Sequence, residues 1–169
     1  MKALIIDDER LARKELMKLL EEHPSIEIAG EAMNADEAEK LIEELNPDLL
    51  FLDIQMPGRT GFQLLESLDS VPLVVFTTAY DEFALKAFEV NALDYLLKPI
   101  TAERLTEAVH KILEKERIKA GRGREGKLGL EDQVFVKDGD RCWFVGLSNI
   151  RLFESNGTIS RFILTPTVP

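Results

Sequence analysis

The sequence predicts an α/β domain in which five parallel strands are covered by helices on both faces, followed by a short all-β tail. Apolar strand-like runs alternate with helical periods five times within residues 1–118. These runs are apolar on both faces, which is typical of parallel strands buried between helices. From residue 133 onward, β-type runs instead flank two hairpin turn signals, Asp138-Gly139 and Asn156-Gly157.

Each predicted strand is followed by a helical stripe of apolar residues. An Asn34…Glu37 capping box opens the second helix. Asp81 and Thr101 stand where they can cap the fourth and fifth helices. The five strands are predicted at residues 3–6, 26–29, 49–52, 73–76 and 93–97.

The composition changes after the fifth helix. Residues 116–131 are rich in glycine and charge and lack apolar periodicity, so we predict a domain at 1–118, a linker at 119–131 and a β-hairpin segment at 132–169. Domains below roughly 40 residues usually need a disulfide, a metal or a partner to fold. We therefore expect the tail to need a further surface or further chain.

Charge and cysteine content narrow the function classes. The net charge of −10 divides into −11 for residues 1–120 and +1 for residues 121–169. An acidic first domain argues against nucleic-acid binding by that part, whereas the neutral tail permits DNA contact. The single Cys142 cannot form an internal disulfide, and no stretch resembles a leader or a membrane span. We expect a cytoplasmic protein without a membrane partner.

Polar residues stand at the carboxyl ends of four of the predicted strands: Asp7, Asp8, Asp53, Thr78 and Lys98. Parallel strands of an α/β sheet place their carboxyl ends at one edge, where such folds bind ligands. Three carboxylates held together repel one another unless a cation is present, and oxygen-only ligation suits Mg²⁺. Because a carboxylate can attack phosphorus, the pattern predicts aspartyl-phosphate chemistry.

Four motifs carry a resemblance to a known family: IIDDE at 5–9, FLDIQMPGRTG at 51–61, FTTAY at 76–80 and DYLLKP at 94–99. Together they make residues 1–118 resemble the receiver domain of bacterial two-component response regulators. The resemblance implies a flavodoxin-like, doubly wound fold. It also implies that Asp53 is the phosphoacceptor and takes the group from a phosphohistidine of a sensor histidine kinase.

The same resemblance implies a magnesium site. Asp8 and Asp53 would bind Mg²⁺ together with the Gln55 backbone carbonyl, and Asp7 would act through water. We therefore expect Mg²⁺ as the cofactor.

The resemblance also implies a phosphoryl-binding and switching set. Thr78 and Lys98 would bind the phosphoryl oxygens, helped by the backbone amides of Ile54 and Ala79. Tyr95 would be the aromatic switch residue that turns inward as Thr78 moves. The Lys98-Pro99 peptide would be cis, an isomer found almost only before proline.

Output is expected to run through dimerisation and the tail. The predicted fourth helix carries more apolar residues than one buried stripe needs, and receivers commonly dimerise through the fourth helix, fifth strand and fifth helix. Residues 135–158 resemble the opening strands of a LytTR-type DNA-binding domain. The leading hypothesis is thus a phosphorylation-switched transcriptional regulator that binds DNA.

Two other functions stay open. The chain could be a stand-alone receiver that acts through protein contacts, with a tail that does not bind DNA. It could also be a Mg²⁺-dependent aspartyl-phosphate hydrolase. Such enzymes usually carry a second Asp two residues after the nucleophile, where this chain has Gln55. We therefore expect a phosphoacceptor with self-catalysed transfer and autodephosphorylation, and not a turnover enzyme.

Overall fold

A computed structural model describes residues 1–79 and 92–121, together with four tail strands within residues 133–164. Side-chain surroundings are described up to residue 117, except for residues 80–91. The predicted fourth helix and its Asp81 cap lie outside the described residues.

The first part of the chain forms one five-stranded parallel sheet, which confirms the predicted fold class. Its strand order is β2-β1-β3-β4-β5, so the order reverses between β1 and β3. Ligands of doubly wound sheets bind at such a reversal, outside the carboxyl ends of the strands. The strands are β1 (Lys2–Ile6), β2 (Glu27–Ala32), β3 (Leu49–Asp53), β4 (Leu73–Thr78) and β5 (Asp94–Leu97).

Four helices lie among the described residues. Two of the predicted caps are confirmed: the Asn34 carbonyl oxygen Oδ1 accepts from the Glu37 amide at 2.9 Å, and Thr101 Oγ1 accepts from the Arg104 amide at 3.3 Å. The helices are α1 (Arg10–Leu20), α2 (Ala35–Leu45), α3 (Gly61–Ser67) and α4 (Ala102–Gly121), the last being the fifth predicted helix.

Two apolar clusters, one on each face, hold the sheet. Because successive strand residues point to opposite faces, Leu50 and Leu52 pack toward α2 and α3, whereas Leu49 and Phe51 pack toward α1 and α4. All four side chains are fully buried. This double burial explains why the strand runs are apolar throughout.

Several element bounds differ from the sequence-based expectation. Strand β2 continues to Ala32 because it follows β1 to its end, where Ile6 pairs with Ala32; Gly30 weakens the strand signal there. Strands β3 and β4 include Asp53 and Thr78 themselves. Helix α4 runs to Gly121, so residues 119–121 are helical rather than linker. Lysine and alanine at 119 and 120 are strong helix formers.

In the tail the structure describes two antiparallel strand pairs. Strand β6 (Gln133–Asp138) pairs with β7 (Arg141–Gly146), and β8 (Ile150–Ser155) pairs with β9 (Ile159–Leu164). The glycines of both predicted turns lie outside the described residues. The partial LytTR-like unit stays a prediction.

None of the helices in the described part of the chain is long and apolar enough to cross a membrane.

Candidate functional site

Three carboxylates meet where the strand order reverses. Asp7 and Asp8 directly follow β1, and Asp53 is the last residue of β3, its neighbour in the sheet. One carboxylate oxygen of each lies within 4.8 Å of the others. Asp7 and Asp53 are buried, whereas Asp8 is exposed. The predicted acidic cluster therefore forms, with one member facing solvent.

Lys98 joins the cluster from the far edge of the sheet. Its Nζ lies 2.6 Å from Asp7 Oδ2 and 2.7 Å from Asp53 Oδ2, and its side chain is only 13% exposed. The Lys98 amide donates to the Thr78 carbonyl at 2.7 Å, which fixes the backbone between β5 and β4. The Lys98-Pro99 peptide is cis, as predicted.

The site carries more negative than positive charge. Burial raises the pKa of Asp53 and the Asp7 charge adds to that rise, although Lys98 acts in the opposite direction. Burial alone would lower the pKa of Lys98, but its hydrogen bonds to Asp53 and Asp7 outweigh burial and raise it. One ammonium thus lies in a cluster of three carboxylates, and a further cation would offset the excess negative charge.

This excess makes the stability of the metal-free protein depend on pH. Since the pKa of Asp53 is raised on folding, the folded state binds more protons, and stability falls as pH rises from the unfolded pKa through the folded one. Asp53→Asn should therefore raise the free energy of unfolding at neutral pH without Mg²⁺. The gain should vanish below the unfolded pKa of about 3.9. Urea denaturation at several pH values checks this; a loss of stability at neutral pH would contradict it.

The loop between β3 and α3 forms one wall of the site. The Gln55 amide donates to Asp53 Oδ1 at 3.1 Å, and the Gly61 amide closes the loop on the Ile54 carbonyl at 2.9 Å. Ile54 is buried and Gln55 is exposed. A cleft of about 480 Å³ opens between this loop and the acids, lined by Asp8, Glu9, Asp53, Gln55, Met56, Pro57, Thr60 and Ala79.

The predicted switch residues occupy the neighbouring strands. Thr78 ends β4 and is fully buried, and Ala79 lines the cleft. Tyr95 pairs with Phe76 in the sheet register and packs, partly buried, against the cluster beneath α2 and α3. The contacts of these residues with a phosphoryl group stay predictions.

Sequence reasoning missed Arg13, because a basic residue among apolar positions of a helix is usually on its solvated face. Here the Arg13 side chain is 11% exposed, and its Nη1 donates to the Asp7 carbonyl oxygen at 2.7 Å. It also missed Arg104, which binds the Asp94 carboxylate and donates to the Tyr95 carbonyl at 3.0 Å. Only the backbone geometry brings these partners together.

The donor set fits a hard divalent cation. Every candidate ligand is an oxygen: the carboxylates of Asp7, Asp8 and Asp53 and the predicted carbonyl of Gln55, a residue that lines the same cleft as Asp8 and Asp53. Mg²⁺ accepts one or two carboxylates and keeps several waters, which the exposed Asp8 and the open cleft allow. Soft metals would favour sulfur or imidazole ligands, and the described cluster contains neither.

Comparison with known proteins gives one consistent result. Residues 3–110 match the model of the response regulator receiver domain family. The transcriptional regulatory protein BtsR of Salmonella typhi is 51% identical over 113 residues, which cover 66% of this chain and 47% of BtsR. The sensory transduction protein LytT of Enterococcus faecalis is 41% identical over 156 residues, covering 90% of this chain and 64% of LytT.

The solved structures agree. The response regulatory domain of the protein mrkE from Klebsiella pneumoniae superposes with a TM-score of 0.64 at 34% identity, covering 70% of this chain and 99% of that domain. The chain spans about half the length of most of the curated relatives that it matches.

Proposed function

Because this chain belongs to the response regulator receiver domain family, we propose that it acts in a two-component system by accepting a phosphoryl group on Asp53. The observation that carries the proposal is the Asp53 carboxylate itself. It is 6% exposed, lies 2.7 Å from the Lys98 ammonium, has an oxygen of Asp7 and one of Asp8 within 4.8 Å and lines an open cleft. The donor would be a phosphohistidine of a sensor histidine kinase.

The transfer exchanges one bond for another. An Asp53 carboxylate oxygen bonds to phosphorus as the bond from phosphorus to the histidine nitrogen breaks, giving an acyl phosphate. Lys98 stabilises charge on the transferring oxygens. Asp7, Asp8, Asp53 and the Gln55 carbonyl would hold Mg²⁺, and the ion would supply positive charge to offset that on the same oxygens. The amides of Ile54 and Ala79 and the Thr78 hydroxyl would donate to the new group.

Phosphorylation would then act as a switch. It adds about −1.5 to −2 charges at one buried point. To convert a mostly inactive population into a mostly active one it must favour the active state by about 5 kcal/mol. New bonds to Lys98 and Thr78 and burial of Tyr95 would supply this energy. The surface that changes would be the fourth predicted helix, β5 and α4, and it would mediate a homodimer.

We propose transcriptional output through the tail, with a cytoplasmic location. The match with LytT covers 90% of the present chain and so extends well into the tail strands. This extent supports a LytTR-like segment. The alternative is a receiver that acts through protein contacts alone. Fluorescence anisotropy with random-sequence duplex DNA at low salt, with and without phosphodonor, separates the two: absence of binding favours the alternative.

The test of the acceptor is chemical labelling. Acetyl phosphate with Mg²⁺ should add one phosphoryl group to the wild-type chain by intact mass, and Asp53→Asn should abolish the labelling. Asp69→Asn is the matched control, because Asp69 is an exposed aspartate two residues beyond the end of α3. The labelled chain should also sediment faster than the unlabelled one.

Three results would count against parts of the proposal. Equal labelling of Asp53→Asn and wild type would place the acceptor elsewhere. Unchanged sedimentation after full labelling would contradict the predicted dimerisation but not the role of Asp53 as the acceptor. Multiple turnover on a phosphomonoester would favour the hydrolase function instead.

A further inference from the structure

Arg13 contacts the main-chain carbonyls of the acidic pair Asp7 and Asp8. It belongs to the first turns of α1, and its guanidinium reaches back to the segment between β1 and α1. Nη1 donates to the Asp7 carbonyl at 2.7 Å and lies 3.5 Å from that of Asp8. Nε donates to Glu31 Oε2 on β2 at 2.7 Å. One side chain thus ties the acidic segment to the neighbouring strand.

The other described hydrogen bonds of this segment hold the amides of Asp7 and Glu9, whereas Arg13 holds the Asp7 carbonyl. The Asp7 amide is held by the Ala32 carbonyl, and the Glu9 amide by Asp7 Oδ1 at 2.9 Å. Neither bond holds the carbonyl that joins Asp7 to Asp8. Repulsion among the carboxylates favours a shift of the main chain at Asp7 and Asp8 away from the site, and a bond to these carbonyls opposes that shift.

We propose that Arg13 is a positioning residue for the divalent cation, holding the backbone of Asp7 and Asp8 so that both carboxylates face the site before the cation arrives. This inference rests on the proposed function, because the cation serves phosphoryl transfer there. A hydrogen bond from a buried guanidinium is charge-assisted and stronger than one between neutral groups. Preset ligands lower the ordering cost of binding.

The proposal predicts a change in cation affinity that is opposite in sign to the change expected from charge alone. Arg13 carries a positive charge close to the carboxylates, so removing that charge should strengthen cation binding if charge alone mattered. If Arg13 positions the ligands, removing it should weaken binding. The direction of change therefore separates the two roles.

The experiment titrates the full chain with Mg²⁺ and follows backbone amide shifts of residues 7–9 and 53–55 by ¹⁵N NMR. Arg13→Met should weaken the affinity about tenfold, since it removes a charge-assisted hydrogen bond that holds the ligand backbone. Arg13→Lys keeps the charge but reaches fewer acceptors and should give an intermediate affinity. Arg117→Met removes the same charge from an exposed site on α4 and should leave the affinity within about twofold.

A milder variant covers the case in which Arg13→Met does not fold. Glu31→Gln removes only the ion pair that orients Arg13, from a side chain that is 50% exposed. It should lower the affinity for Mg²⁺ by about two- to threefold, and the backbone amide shifts that it changes should be those of Asp7 and Asp8.

The outcomes separate this inference from the proposed function. If the wild type binds no Mg²⁺, the proposed function fails. If the wild type binds Mg²⁺ and Arg13→Met binds it equally well or more tightly, the positioning role alone is overturned. An equal loss in Arg117→Met would also overturn it.

Discussion

Replacing Lys98 with methionine should lower the free energy of unfolding in metal-free buffer by about 3 kcal/mol, because it leaves a buried charge cluster without its cation. The Lys98 ammonium contacts two carboxylates whose side chains are 4% and 6% exposed, Asp7 and Asp53. Millimolar Mg²⁺ should restore much of this loss and stabilise the variant more than the wild type, since only the folded state presents the carboxylates together.

Urea denaturation with and without Mg²⁺ measures this effect. Lys40→Met is the control, because Lys40 is an exposed lysine on α2 and the same charge is removed. It should change stability by less than about 0.5 kcal/mol. Equal stabilities of Lys98→Met and Lys40→Met in metal-free buffer would show that Lys98 does not balance the buried acids.

Replacing Gly61 with alanine should have a comparable effect on stability through sterics alone. A Cβ at this first residue of α3 would overlap the carbonyl oxygen of Asp53 and lie 3.0 Å from Leu52 Cγ. Backbone cannot move aside as a side-chain end does, so we expect a loss of about 2–3 kcal/mol. Labelling of Asp53 by acetyl phosphate should slow as well, since the displaced atom belongs to the acceptor residue.

Thermal unfolding and the labelling rate measure the two effects. Gly30→Ala is a suitable control, because its Cβ would meet only the ends of the Leu45 and Leu4 side chains, at 3.2 and 3.3 Å. It should cost less stability and leave labelling unchanged. A Gly61→Ala variant as stable as Gly30→Ala would mean that the loop and strand separate freely at this point.

The two charge variants should move stability in opposite directions. Asp53→Asn relieves repulsion and should stabilise the metal-free protein, whereas Lys98→Met increases repulsion. A group that weakens the fold while serving its chemistry is a common feature of functional sites. The opposite signs distinguish a functional charge cluster from an ordinary structural ion pair.

Most of the sheet and the acidic cluster could be predicted because both follow from local patterns. The run from residue 49 to residue 52 is apolar at every position, which is typical of a strand covered on both faces. Once the strands are parallel, the topology alone brings Asp7, Asp8 and Asp53 to one edge. The family motifs then added the expected role of each residue.

The interactions that position these residues could not be predicted in the same way. The contacts of Arg13 with Asp7 and Glu31 depend on the direction of a long side chain across three elements. The salt bridge between Lys98 and Asp7 was also not predicted, because the family resemblance implied only that Lys98 binds phosphoryl oxygens. Such contacts depend on tertiary geometry, which periodicity and motif spacing do not encode.

The most direct measurement maps the modified residue chemically. The chain is treated with acetyl phosphate and Mg²⁺, reduced with borohydride, which converts an acyl phosphate to an alcohol, and digested for peptide mass spectrometry. We predict that Asp53 alone is converted, giving homoserine at that position, and that omission of Mg²⁺ greatly reduces the conversion. Conversion at Asp7 or Asp8 instead, or of no aspartate at all, would contradict the central claim that Asp53 accepts the phosphoryl group.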